Sequence, residues 1–109
     1  MAMWTVEADA ERIAVVDPQG GLKILPRDAL SRIVIETYDS GPFADDAWWL
    51  LLREDGTVGL KFPQSADGEH DVVEDFLSLP GFNYEAMVTA MGSTEQGFFP
   101  VWRRGAGLV

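Results

Sequence analysis

Cysteine is absent from this chain of 109 residues, histidine occurs once, and positive charge is scarce. Eight Lys and Arg stand against 18 Asp and Glu, a formal net charge of −10. Each shortage excludes something. Without cysteine there can be no disulfide and no thiolate metal site, a usage compatible with the reducing cytoplasm, the compartment expected here. An anionic surface repels phosphate backbones and acidic lipid, so neither nucleic acid nor a membrane is expected as a partner. The balance suits a protein that meets a basic partner, or one that meets nothing charged at all. The longest apolar run, Ala47 to Leu52, falls far short of the ~20 residues that span a bilayer. Met1 to Glu7 lacks a basic region followed by an apolar stretch, so no signal peptide is expected.

What is present is the material of a globular core. Hydrophobic residues make up 47% of the chain, with four Trp, two Tyr and six Phe. The length suits one domain, expected over 1–104, with a loose tail at 105–109. Alternation predicts short strands around Trp4–Ala8, Ile13–Val16 and Leu22–Leu25, then one helical turn after Pro26. Ser31 to Tyr38 is rich in β-branched residues and predicts a strand. Ala47 to Arg53 is apolar on both alternating faces and predicts a central strand covered on two sides. Asp55-Gly56 is a hairpin dipeptide, followed by the alternation of Val58, Leu60 and Phe62.

The period changes after Pro63. Val72, Val73, Phe76 and Leu77 predict a helix whose wet side carries Glu69, Asp71, Glu74 and Asp75. Asn83 caps a second helix, on which Tyr84, Met87, Val88 and Met91 form one apolar stripe. A last strand over Phe98–Trp102 contains Pro100, which cannot donate to a ladder and so belongs at an edge or a bulge. Strands, then helices, then a strand indicate an α+β fold. The expected form is a bent antiparallel sheet or partly closed PH-like roll of six or seven strands, with two consecutive helices and a final edge strand.

No constellation of residues carries a catalytic signature, and the chain is expected not to be an enzyme. His70 has no second His or Cys to work with. Asp67, Glu69 and Asp71 are spaced like the opening of a calcium loop, but Val72 stands where that loop needs Gly and Ser78 where it needs Glu. Asp45 and Asp46 are adjacent, so on a strand they project to opposite faces and cannot readily flank one bond. The serines include no G-x-S-x-G elbow. The segment Gly92–Gly97 lacks the lysine of a phosphate loop, and no cofactor or metal is expected.

The stretch Ile33-Val34-Ile35-Glu36-Thr37-Tyr38-Asp39-Ser40-Gly41-Pro42-Phe43-Ala44-Asp45-Asp46 resembles a small group of bacterial proteins with the recurring phrase I-x-T-x-D-x-G-P-F-x-D-D. Two further phrases of that group, L-P-G-F and F-x-x-W-R, are matched by Leu79-Pro80-Gly81-Phe82 and by Phe99-Pro100-Val101-Trp102-Arg103. The resemblance supplies a family label and implies no activity. The small, acidic character of the group is similar to that of immunity proteins that neutralise bacterial toxins.

The reading is therefore a non-enzymatic interaction module, of which an inhibitor of a basic toxin is one version. Its expected contact residues are Asp39, Phe43, Asp45 and Asp46 in a loop and Glu69, Asp71, Glu74 and Asp75 on a helix. Complementary charge would speed encounter with a basic partner and reject anionic ones. The first rival is a structural homodimer joined through an edge formed by Phe98, Phe99, Trp102 and Arg103, with a tryptophan exposed. The second is a small hydrolase built on dispersed carboxylates.

Overall fold

A computed structural model describes residues 3–39 and 47–105. Seven strands and two helices follow the expected order: β1 (Thr5–Ala8), β2 (Arg12–Val16), β3 (Leu22–Pro26), a 3-10 turn (Arg27–Ala29), β4 (Arg32–Thr37), β5 (Ala47–Leu52), β6 (Val58–Pro63), α1 (Glu69–Leu77), α2 (Tyr84–Met91) and β7 (Gly97–Arg103). The strands form two antiparallel sheets, β1-β2-β3 and β6-β5-β4-β7. This is the α+β arrangement that segregated strands and helices imply. β7 is an edge strand, paired to β4 alone, and its register slips between Ile33, opposite Trp102, and Val34, opposite Pro100, leaving Val101 as the extra residue. A residue without an N–H sits at a bulge on an edge, where its missing donor costs the ladder least.

Alternation decides what enters the core. Val6, Ile13, Val15 and Leu25 from the first sheet meet Ile33, Ile35, Trp49, Leu51, Leu60 and Phe62 from the second, closed over by Val72 and Phe76 of α1 and Ala90 of α2. Trp49 lies at the centre. Its ring stacks on Phe62 (centroids 6.3 Å apart, planes at 16°) and tilts against Phe76 at 5.8 Å. Such pairs add roughly 0.5–1.5 kcal/mol each beyond the area they bury. Thr37, fully buried, donates its hydroxyl to the Glu95 carbonyl at 2.7 Å and so fastens the connector before β7 to β4. Among the described residues no buried side-chain nitrogen or oxygen lacks a partner, as native interiors require.

Three expectations are corrected by packing. On α2 the stripe of Tyr84, Met87, Val88 and Met91 is not the buried face, for Tyr84 and Val88 are 59% and 51% exposed. The helix instead turns Ala86 and Ala90 inward, with Met87 and Met91 partly covered beside them. Small side chains let the helix axis approach β4 and β7 closely, a preference that a count of large apolar residues does not register. On α1, Leu77 is 40% exposed although its spacing matches the buried residues. The third correction concerns β5, which is central but covered unequally. Trp49 and Leu51 point into the core, whereas Leu50 lines a cleft and Trp48 meets Trp4 edge-on at 5.3 Å.

The free side of β1 is tied to the segment that enters α1. Val6 N–H donates to Asp67 O, and Asp67 N–H to Trp4 O, both at 2.8 Å. Gly68 follows in a left-handed conformation (φ +89°) and serves as the N-cap of α1. A Cβ there would stand 2.2 Å from the Val6 carbonyl oxygen. Gly56 in the β5–β6 turn has nearly the same φ, +86°, with open space around it. Gly56→Ala should therefore cost only the left-handed penalty, about 1–2 kcal/mol. Gly68→Ala should cost about 3 kcal/mol or more, because backbone must also move. Urea denaturation of the two variants side by side checks the difference.

Candidate functional site

The start of α1 carries most of the candidate contact residues, and the structure divides them. Glu69 does not lie on the wet side. It is half-buried, and its Oε2 accepts a hydrogen bond from the Trp49 indole N–H at 3.1 Å. A tryptophan buried this deeply needs an acceptor, and the first turn of α1 supplies it. Burial raises the Glu69 carboxyl above the ordinary glutamate value, while the indole bond and the adjacent His70 pull the other way less strongly. Asp75 is also only partly exposed and forms an ion pair with Arg27, whose Nε donates to the Asp9 carbonyl. Asp71 and Glu74 are exposed as expected. Phe43, Asp45 and Asp46 lie outside the described residues, and Asp39 is exposed at the end of the first described segment.

Asp71 and Asp75 line a groove of about 540 Å³ between β1 and α1, together with Glu7 and Asp9. Four carboxylates thus converge from two elements that are 60 or more positions apart in the chain. Arg27 is the one basic side chain lining the groove, and it is already committed to Asp75 and to the Asp9 carbonyl. The Asp9 carboxyl is held below the usual aspartate value by the backbone N–H groups of Glu11 and Arg12, at 2.8 and 2.9 Å. It stays ionised at neutral pH. Sequence reading missed Glu7 and Asp9, since nothing in a linear pattern places β1 beside α1. The parallel bridge from Thr5 to Asp67 does that.

The other sequence candidates do not assemble a reaction centre. Asp67 uses its backbone to pair with β1, Glu69 turns to Trp49, and Asp71 faces the groove, so the calcium-loop spacing does not converge on one point. His70 Nε2 lies 3.3 Å from Glu74 Oε1, one turn along the exposed face of α1. With Asp71 these side chains can approach within 4.8 Å of one another, all of them exposed. A fully hydrated acidic cluster of that kind is an ordinary feature of a helix N-terminus.

The expected dimer edge is also reapportioned. Phe98 is 61% exposed, Phe99 partly buried and Arg103 exposed, but Trp102 is only 8% exposed and is not available as a surface tryptophan. Its indole N–H donates to the Pro80 carbonyl at 2.9 Å. That bond joins two of the phrases noted in the sequence. Leu79-Pro80-Gly81-Phe82 is a β-turn, with Gly81 at φ +82° and Phe82 N–H bonded to Leu79 O at 3.1 Å, and it packs where F-x-x-W-R passes. On the free side of β7 the Val101 carbonyl accepts the Asn83 N–H at 2.7 Å, and Pro100 has no donor to offer. A second copy adding a strand here would find the ladder interrupted at two successive residues.

A cavity of about 710 Å³ lies beside Trp102. Its two guanidiniums are internal fasteners. Arg104 donates to the Leu30 and Arg27 carbonyls at 2.6–3.0 Å, closing the 3-10 turn, and lies 5.9 Å from the Trp102 ring centre. It bonds carbonyl oxygens and not the surface carboxylates that a basic end on an acidic chain would be expected to seek.

The fold and the groove together define an acidic α+β protein of two antiparallel sheets, with no helix among the described residues long and apolar enough to cross a membrane. No family model matches the chain, and no curated protein or solved structure matches it.

Glu69 gives a test of the geometry. Because its folded pKa is raised, its contribution to stability is greatest below the unfolded glutamate pKa and is lost as pH rises through the folded value. Glu69→Gln keeps an acceptor for Trp49 without the buried charge, so it should be more stable than the parent at pH 7, with the gap closing towards pH 4. Glu69→Ala removes the acceptor and should lose about 1–2 kcal/mol at pH 7. Urea titrations at both pH values check the order of the three proteins.

Proposed function

We propose that this chain is a non-enzymatic protein-binding module that meets a basic partner along the groove between β1 and α1. One observation carries the reading: Glu7, Asp9, Asp71 and Asp75 line it together, and the guanidiniums of Arg27 and Arg12 pair with only Asp75 and Asp9 among them. Like charges held together raise the local negative potential, and lysine or arginine side chains of a partner relieve it. The exposed Glu74 lies on the same helix, and the whole-chain charge of −10 steers a basic partner from a distance. An immunity-type role, in which the groove engages a basic toxin, is one concrete form.

The contact is electrostatic at its rim, so it responds to salt. Over the range in which the Debye length shrinks from about 10 Å to a few ångströms, affinity should fall steeply. In a pull-down at 50 mM and 500 mM salt, the parent protein should retain a basic partner at the lower concentration and release it at the higher. Asp71→Lys and Glu7→Lys, both changes at exposed positions, should each reduce retention at least tenfold at low salt. A partner held equally by both variants, or undisturbed by 500 mM salt, refutes the groove as the contact.

A further inference from the structure

We propose that a second, separate cleft, at the open face of the four-stranded sheet, binds a small organic anion with an apolar, ring-sized body. It shares no residue with the acidic groove and encloses about 510 Å³, within the range typical of small-molecule sites. The chain contains two lysines, Lys23 and Lys61, and both line this cleft.

Strand register explains the convergence. Lys61 lies opposite Leu50 in the β5–β6 ladder, and Lys23 opposite Val15 in the β2–β3 ladder. The two sheets therefore bring one ammonium each to the same opening. Lys61 Nζ sits 5.5 Å from the centre of the Trp48 ring, which in turn meets Trp4 edge-on. Leu50, Val58 and Phe98 supply an apolar surface, and Phe98 is the most exposed large apolar side chain among the described residues.

Charge complementarity selects the occupant. Neither ammonium has a carboxylate within 4.0 Å among the described residues. Two carboxylates share the cleft and match the two ammoniums in formal charge, but each accepts hydrogen bonds from its own near neighbours. Asp17 Oδ1 accepts from the N–H groups of Gln19 and Gly21 at 2.8 and 2.9 Å, closing its own turn. Glu36 accepts the Tyr38 hydroxyl, an attachment that raises the Tyr38 phenol to about 12. An inorganic anion would use only the ammoniums, and a neutral hydrocarbon only the walls. A ring or short chain bearing a carboxylate or sulfonate uses both, and it covers Phe98. The net charge of the protein does not prevent this, because screening reduces distant charges far more than two ammoniums in contact with the ligand.

Fluorescence titration with 8-anilinonaphthalene-1-sulfonate tests the site, with neutral N-phenyl-1-naphthylamine as the uncharged counterpart. The sulfonate should bind saturably with one-to-one stoichiometry and at least fivefold more tightly than the neutral probe. Lys23→Gln and Lys61→Gln should each weaken the sulfonate about fivefold, as expected for a partly solvated charge pair. Neither change should alter the neutral probe. Glu36→Gln removes the opposing charge and should tighten the sulfonate about two- to threefold. Arg53→Gln, a change at an exposed cation outside the cleft, should change nothing. Absence of saturable binding overturns the proposal. So does equal affinity for the two probes in the unaltered protein, or undiminished sulfonate binding in the double lysine variant.

Discussion

The indole N–H of Trp49 is the constraint around which this molecule is arranged. The ring is fully buried between Phe62 and Phe76, and a donor withdrawn from water must find an acceptor inside the protein. The acceptor is the Glu69 carboxylate, so the first residue of α1 is drawn to the centre of β5. From that point the path is determined. Gly68 takes the left-handed turn against the Val6 carbonyl, Asp67 pairs with β1, and the first sheet is locked to the second across the start of the helix. Removing charge from Glu69 relaxes this arrangement, whereas removing its oxygen leaves the buried donor unpartnered.

The same docking creates the acidic groove. Once α1 lies against β1, Asp71 and Asp75 on its exposed flank cannot avoid Glu7 and Asp9. Mutual repulsion among them is a cost to stability, and Arg27 offsets part of it by bridging Asp75 and the Asp9 carbonyl. A groove lined by four carboxylates, of which Arg27 and Arg12 pair with two, sacrifices some stability for a localised negative potential. The opening at the open face of the four-stranded sheet instead carries Lys23 and Lys61 beside Asp17 and Glu36.

Much of the secondary structure was legible because it rests on local rules. The β5–β6 turn follows from Asp55-Gly56, with the Asp55 carboxylate bonded to the Thr57 N–H and hydroxyl at 2.9 and 2.6 Å. The start of α2 follows from Asn83, whose side chain accepts the Ala86 N–H at 3.0 Å. The bulge opposite Pro100 follows from a missing donor. Errors arose where packing selected among faces that local pattern rates alike. Tyr84 and Val88 match a helical stripe as well as Ala86 and Ala90 do, but only the alanines fit against β4 and β7. Glu69 and Asp75 look like any other wet-side carboxylates until Trp49 and Arg27 are placed beside them.

By itself, then, the sequence determined the α+β class, the order and kind of the elements, and the sign of the surface. These depend on alternation, helical period, turn residues and charge count, all of which act over a few positions or over none in particular. Tertiary structure decided which carboxylates stay exposed and which are braces, that Trp102 is internal, and that both lysines share one opening. Those outcomes depend on distances between residues far apart in the chain. Such distances are set by how two sheets and two helices bury one tryptophan, not by any motif along the backbone.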